Sequence, residues 1–219
     1  MLARKKLQSR TNRRHKDEID VDEFSEPVLY QVVASEAVLL LTIFVCTVII
    51  WNSKVNVYGI SYFGVRAPTL PVVALGFVGG GIMLIMASRK FPSRAPYVLV
   101  KWTLRIVSVG IVLLLLTPYT VDTFFNWTHM LLGAAIFVTE LYTGGILCFR
   151  HMRDRISKWA FGIQFLGGLL AMFSLPDNML NFMIEGEVIF QLGFMVILNH
   201  LLRTEPSMIG EPIPPEAQS

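Results

Sequence analysis

The stretch Asn126–Phe149, NWTHMLLGAAIFVTELYTGGILCF, limits the choice of fold more than any other part of this chain. It is an apolar run long enough to cross a bilayer as a helix. It also carries Glu140, about 10 residues inside the basic end that begins at Arg150. A carboxylate at that depth costs at least ~2.5–3.5 kcal/mol unless it is paired, protonated or facing water. His129, Gly133, Phe137, Glu140 and Gly144 recur at helical spacing, so Glu140 shares a stripe with small residues that permit close helix contact. That stripe is expected to face the interior of a helix bundle.

The rest of the chain repeats the pattern. Of 219 residues 53% are hydrophobic and only 16% charged, which is too apolar for an ordinary soluble domain. Apolar spans fall near 31–51, 70–87, 98–117, 127–149, 159–175 and 184–202. Their lengths suit helices rather than the short alternating strands of a barrel. Because backbone groups must be satisfied within hydrocarbon, the expected fold is all-α, a six-helix transmembrane bundle over residues 30–203. Residues 1–29, basic and then acidic, and residues 204–219, rich in proline, read as disordered tails. The N-terminus lacks the apolar stretch of a cleavable signal peptide.

Charge sets the expected orientation. The segments 1–16, 89–101, 150–158 and 203 onward hold nearly all of the lysines and arginines, while 52–69, 118–126 and 176–183 hold only Lys54 and Arg66. The positive-inside rule then makes both termini cytoplasmic in a multi-pass protein of the cell membrane. The longest outer connection, 52–69, is expected to form a hairpin or a cap over the bundle. Asn126-Trp-Thr128 matches a glycosylation acceptor but lies too near the membrane surface to serve as one. Cys46 and Cys148 lie inside apolar runs and read as buried thiols.

Two groups of polar residues are candidate sites. Arg105 and Glu140 lie at similar depths, ~12 and ~15 Å from the basic end at 1.5 Å per residue, with Glu36 and Gln164 in the same half. One reading is an intramembrane polar cluster of Glu36, Arg105, Glu140 and Gln164; the other has Arg105 snorkelling to headgroups and Glu140 only packing. At the outer mouth, His129 and Asp122 stand with Glu187 and Gln191. No two histidines are placed to share a metal or haem, so neither metal nor cofactor is implied. Ser35, Ser61 and Ser174 have no base evident from the sequence, and catalysis is not supported at this level.

Two short motifs resemble a known family. His129-x-x-x-Gly133-Ala134-x-x-Phe137 with Tyr142, and Ile60-Ser61-x-x-Gly64-x-x-x-Pro68, are similar to segments of the six-span damage-regulated autophagy modulator family. That family includes the yeast Sfk-type proteins and the factors that remodel GPI-anchor lipids. The resemblance implies a role in lipid handling and carries over Ser61, Gly64, Pro68, His129 and Phe137, with no catalytic mechanism attached. The basic tail and Arg105 depart from the family pattern.

The function expected from the sequence is a non-enzymatic, lipid-associated membrane protein. Its partners would be membrane lipids, with no nucleic acid. Two alternatives stand beside it. One is a proton- or ion-coupled small transporter using Glu140, although no inverted repeat is evident. The other is an accessory subunit that packs on a larger membrane protein or a second copy.

Overall fold

In the computed structural model the described residues are 27–175 and 180–208, with side chains described through 204. Six helices are long and apolar enough to cross a membrane: α1 (Pro27–Ile49), α3 (Leu70–Lys90), α4 (Tyr97–Leu116), α5 (Thr123–Ile146), α6 (Arg155–Phe173) and α7 (Met183–Met208). A short α2 (Ser53–Tyr58) and a 3-10 turn (Gly59–Val65) lie between α1 and α3. Helix is the regular structure throughout, with no strand among the described residues. The fold class is therefore an all-helical protein with six candidate membrane spans. Expected span ends shift by a few residues: α1 begins at Pro27 and α7 continues to Met208, past the 30–203 limits read from hydropathy. The two tails expected to be disordered otherwise lie outside the described residues.

Segment 52–69 is a helical cap rather than a hairpin. Asn52 caps α2 by accepting the Lys54 N–H at 2.9 Å. Val55, Tyr62 and Phe63 turn inward and pack with Ile43, Val73 and Ile184. β-branched and aromatic residues suggested strands here, but burial against three helices outweighs local propensity. The cap marks one end of the bundle. The loops at 91–96 and 153–154 mark the other, called here the basic end.

Large hydrophobic side chains are spread over the outside of the bundle, as a hydrocarbon solvent requires: Leu75 is 78% exposed and Leu131 72%. With lipid on one side and protein on the other, helix association depends on close packing. The α6–α7 contact shows it best. Gly167 lies against Phe190 and Gly186, Gly186 against Ala171, and Gly193 against the backbone of Gln164. On the other flank Gly76 and Gly80 of α3 receive Thr42 and Leu39 of α1, and Gly81 lies against Ser108 of α4. The interior is closed by Leu84, Leu104, Leu147, Phe194, Ile197 and Leu201.

The basic end has its own fastening. α5 finishes in a π-turn, Leu147–Met152, and Arg153 leaves it in the left-handed conformation at φ 53°. Asp154 then caps α6, accepting the Ser157 N–H at 3.0 Å, and pairs with His200 of α7 at 3.1 Å. Partial burial works against the Asp154 carboxylate, but hydrogen bonds from Ser157 and the nearby His200 outweigh it and hold Asp154 at about 2. A depressed carboxyl pKa adds stability that is complete above the unfolded value and fades as pH falls through the folded one. Thermal stability in detergent is therefore expected to decline between roughly pH 4 and pH 2 through this group. Asp154→Ala should remove that dependence and lower stability at neutral pH by ~1 kcal/mol, as loss of an N-cap does. A melting series against pH checks both.

Candidate functional site

Three polar arrangements stand out, and their geometry separates residues that match in depth. The first is interior. Glu140 of α5 is 2% exposed and accepts a hydrogen bond from Gln191 Nε2 at 2.9 Å. Glu36 of α1 is also buried. Glu187, one turn from Gln191 on α7, is committed elsewhere: its Oε2 accepts the Ile60 N–H of the cap at 2.7 Å. Gln164 sits against Gly144, one turn along α5 from Glu140, and its amide atoms have no hydrogen-bond partner among the described residues. Glu140 is thus joined to Gln191, a residue the sequence pattern grouped with the outer mouth.

Arg105 does not join this group. Its Nε–H donates to Ser88 Oγ at 3.2 Å, and its guanidinium lies 5.2 Å from the centroid of the Trp102 ring. Among the described residues no carboxylate pairs with it. Depth was matched, but the two side chains leave their helices in different directions. Arg105 instead ends a groove of about 330 Å³ between α4 and α5. Ile106, Val109 and Leu113 of α4 face Leu132, Ala135 and Ile136 of α5 across it, with Trp102 and Arg105 at the end nearer the basic loops. Gly110 lets Ile136 come up against α4 at its floor. The groove opens sideways, on the stripe of α4 whose residues Trp102, Ile106, Val109 and Leu113 are exposed. Its chemistry is one cation at the end of an apolar trough.

The third arrangement lies beneath the cap. Ser61 Oγ is 2.8 Å from His129 Nε2, and His129 Nδ1 is 2.8 Å from the carbonyl oxygen of Thr117. A carbonyl only accepts, so Nδ1 carries the proton; Nε2 then accepts the Ser61 hydroxyl. Tyr119 stands beside the imidazole, with ring centroids 5.7 Å apart, and stacks on Tyr58 at 5.5 Å. Burial, with Tyr58 alongside, pushes the Tyr119 phenol up to about 12. It stays a neutral hydrogen-bonding group at physiological pH. The other residues grouped at this mouth lie apart: Asp122 caps α5 by accepting the Phe125 N–H at 2.8 Å.

Of the remaining motif positions, Phe137 stacks on Phe190 at 4.4 Å, and Gly64 lies near Leu115. Pro68 is exposed just before α3. Gly133 has open space where Gly144, further along the α5 stripe, meets Gln164. Ser61 does meet an imidazole, that of a residue 68 positions away. Ser35 and Ser174 are spent on backbone partners, Val32 O and Phe182 N. Among the described residues no three His, Cys, Asp or Glu side chains converge as metal ligands would.

The class these observations define is an all-helical, multi-pass membrane protein with a cation-ended lateral groove and a capped polar mouth. No family model, curated protein or solved structure matches the chain. The reading of its function therefore rests on its own residues.

Proposed function

We propose that this protein is a lipid-associated integral membrane protein that binds an anionic lipid in the α4–α5 groove. Its basic ends, and both termini, would lie on the cytoplasmic side. The observation that carries this reading is the position of Arg105. It is a partly exposed cation without a carboxylate partner among the described residues, at the end of an apolar trough open to hydrocarbon. An isolated arginine within a span is costly unless something anionic or wet meets it. A lipid headgroup meets that need, since guanidinium is suited to bidentate recognition of phosphate. Lys101, one turn towards the basic end, adds a second positive charge. The acyl chain would lie along Ile106, Val109 and Leu113.

Photoreactive anionic phospholipid, incorporated into nanodiscs with the protein, tests the assignment. Adducts are expected on the α4 and α5 groove residues and should fall several-fold in Arg105→Gln. Adducts spread evenly over all six helices, and indifferent to that substitution, would refute it.

A second reading is proton- or ion-coupled transport. Its support is the buried pair Glu36 and Glu140, which have no cation beside them among the described residues. Retained pH-driven transport in Glu140→Gln would sink it.

A further inference from the structure

We infer that Ser61 is a nucleophile and His129 its general base, together forming a site that hydrolyses an acyl ester of a membrane phospholipid. The inference is independent of the α4–α5 groove. A serine hydroxyl is a weak nucleophile until a neighbouring base accepts its proton, and that base must be held in the correct tautomer by a third group. All three parts are present. Ser61 Oγ and His129 Nε2 are 2.8 Å apart, and the Thr117 carbonyl, 2.8 Å from Nδ1, leaves Nε2 as the free acceptor.

The 3-10 turn bearing Ser61 is held from α7. Gly59, two residues before it, has φ 59° and ψ −149°, a conformation essentially confined to glycine. An added Cβ there would collide with the Glu187 carboxyl. The same carboxyl accepts the Ile60 N–H, so a half-buried side chain of α7 fixes the backbone immediately before the nucleophile. A hydrogen bond that only tied the cap to α5 would need neither the carbonyl behind the imidazole nor access from outside. Ser61 and His129 are both partly exposed, not sealed in the core.

Position indicates the substrate. Trp51, Phe124 and Trp127 are exposed at this end, the pattern of an aromatic belt at a membrane–water boundary. Ester carbonyls of glycerolipids sit at that boundary, between headgroup and tails. Arg66, exposed and 4.4 Å over the Tyr62 ring, supplies a cation for a lipid phosphate on the same cap. In the reaction, Ser61 Oγ adds to the ester carbonyl carbon while its proton passes to His129 Nε2. The bond from that carbon to the alcohol oxygen breaks, and His129 gives the proton to the departing alcohol. Water then attacks the acyl-serine, losing a proton to Nε2, and the fatty acid leaves as Ser61 Oγ takes that proton back. Ester and water become acid and alcohol, with no other reactant.

The test uses the full chain in nanodiscs and a lipid-like fluorophosphonate, which a base-activated serine captures by displacing fluoride. One adduct per chain is expected, mapped to Ser61, and absent in Ser61→Ala. His129→Gln, which preserves side-chain hydrogen bonding, should slow labelling about 100-fold or more, the usual contribution of a general base. Gly162→Ala, outside this site and with open space around the added methyl, should label as the wild type does. Circular dichroism of each variant establishes that it is folded, and only folded variants enter the comparison. No adduct on the wild type, an adduct on another residue, or equal labelling of folded His129→Gln would overturn the inference.

Discussion

Gly193→Ala should be among the most damaging single-methyl substitutions in this chain, leaving little folded protein after detergent extraction. An added Cβ at Gly193 would sit 2.5 Å from the backbone nitrogen of Gln164. No flexible side chain can move aside there, because the obstacle is the main chain of α6 itself. Overpacking a well-fitted contact costs about 1–3 kcal/mol, and a backbone obstacle belongs at the upper end. Against this stands the intrinsic preference of a helix for alanine over glycine, about 1 kcal/mol. Steric cost wins by roughly 2 kcal/mol. Gly162→Ala gives the matching control on α6, for nothing lies within 4 Å of its added Cβ. There the propensity gain acts alone, and the melting temperature should hold or rise. A Gly193→Ala protein as stable as the wild type would mean that α6 and α7 are not in contact as described.

Glu140→Ala should be more harmful still, for a different reason, and Glu140→Gln should not. Removing the side chain empties a fully enclosed site and strips Gln191 Nε2 of its acceptor. Truncating a large core side chain costs about 2–5 kcal/mol, and an orphaned buried donor a further 1–3 kcal/mol. Glutamine keeps both the volume and an oxygen that accepts from Gln191, so its stability should stay within about 1 kcal/mol of the wild type. Thermal unfolding followed by tryptophan fluorescence would separate the three proteins. The same pair serves the transport reading, since Glu140→Gln removes a titrating group from a chain that still folds.

How far the sequence could be read depended on the distance over which each signal acts. The six spans were legible because hydropathy is local, and their ends moved by only a few residues. Along α5, helical periodicity alone placed Phe137, Glu140 and Gly144 on one face, and in the fold those residues do face α6 and α7. Arg105 shows where periodicity was available and depth was followed instead. Its neighbours Trp102, Ile106 and Val109 recur at the spacing of a lipid-facing stripe, a sign that Arg105 borders that stripe. Ser61 and His129 could not have been joined from either segment alone. Their contact requires the cap to fold back over α5, and the cap owes its position to Phe63, Val55 and Glu187 packing far away in sequence. The grouping of Gln191 with the mouth failed similarly: one helical turn beyond Glu187 carries it down to Glu140.

The claim on which the account turns is that Arg105 and the α4–α5 groove hold an anionic lipid. Native mass spectrometry of the protein, released gently from nanodiscs containing equal anionic and zwitterionic phospholipid, tests it most directly. The account predicts that the wild type retains anionic lipid selectively, while Arg105→Gln loses that selectivity and Glu140→Gln keeps it. Equal retention of both lipids by the wild type, or unchanged selectivity in Arg105→Gln, would contradict it.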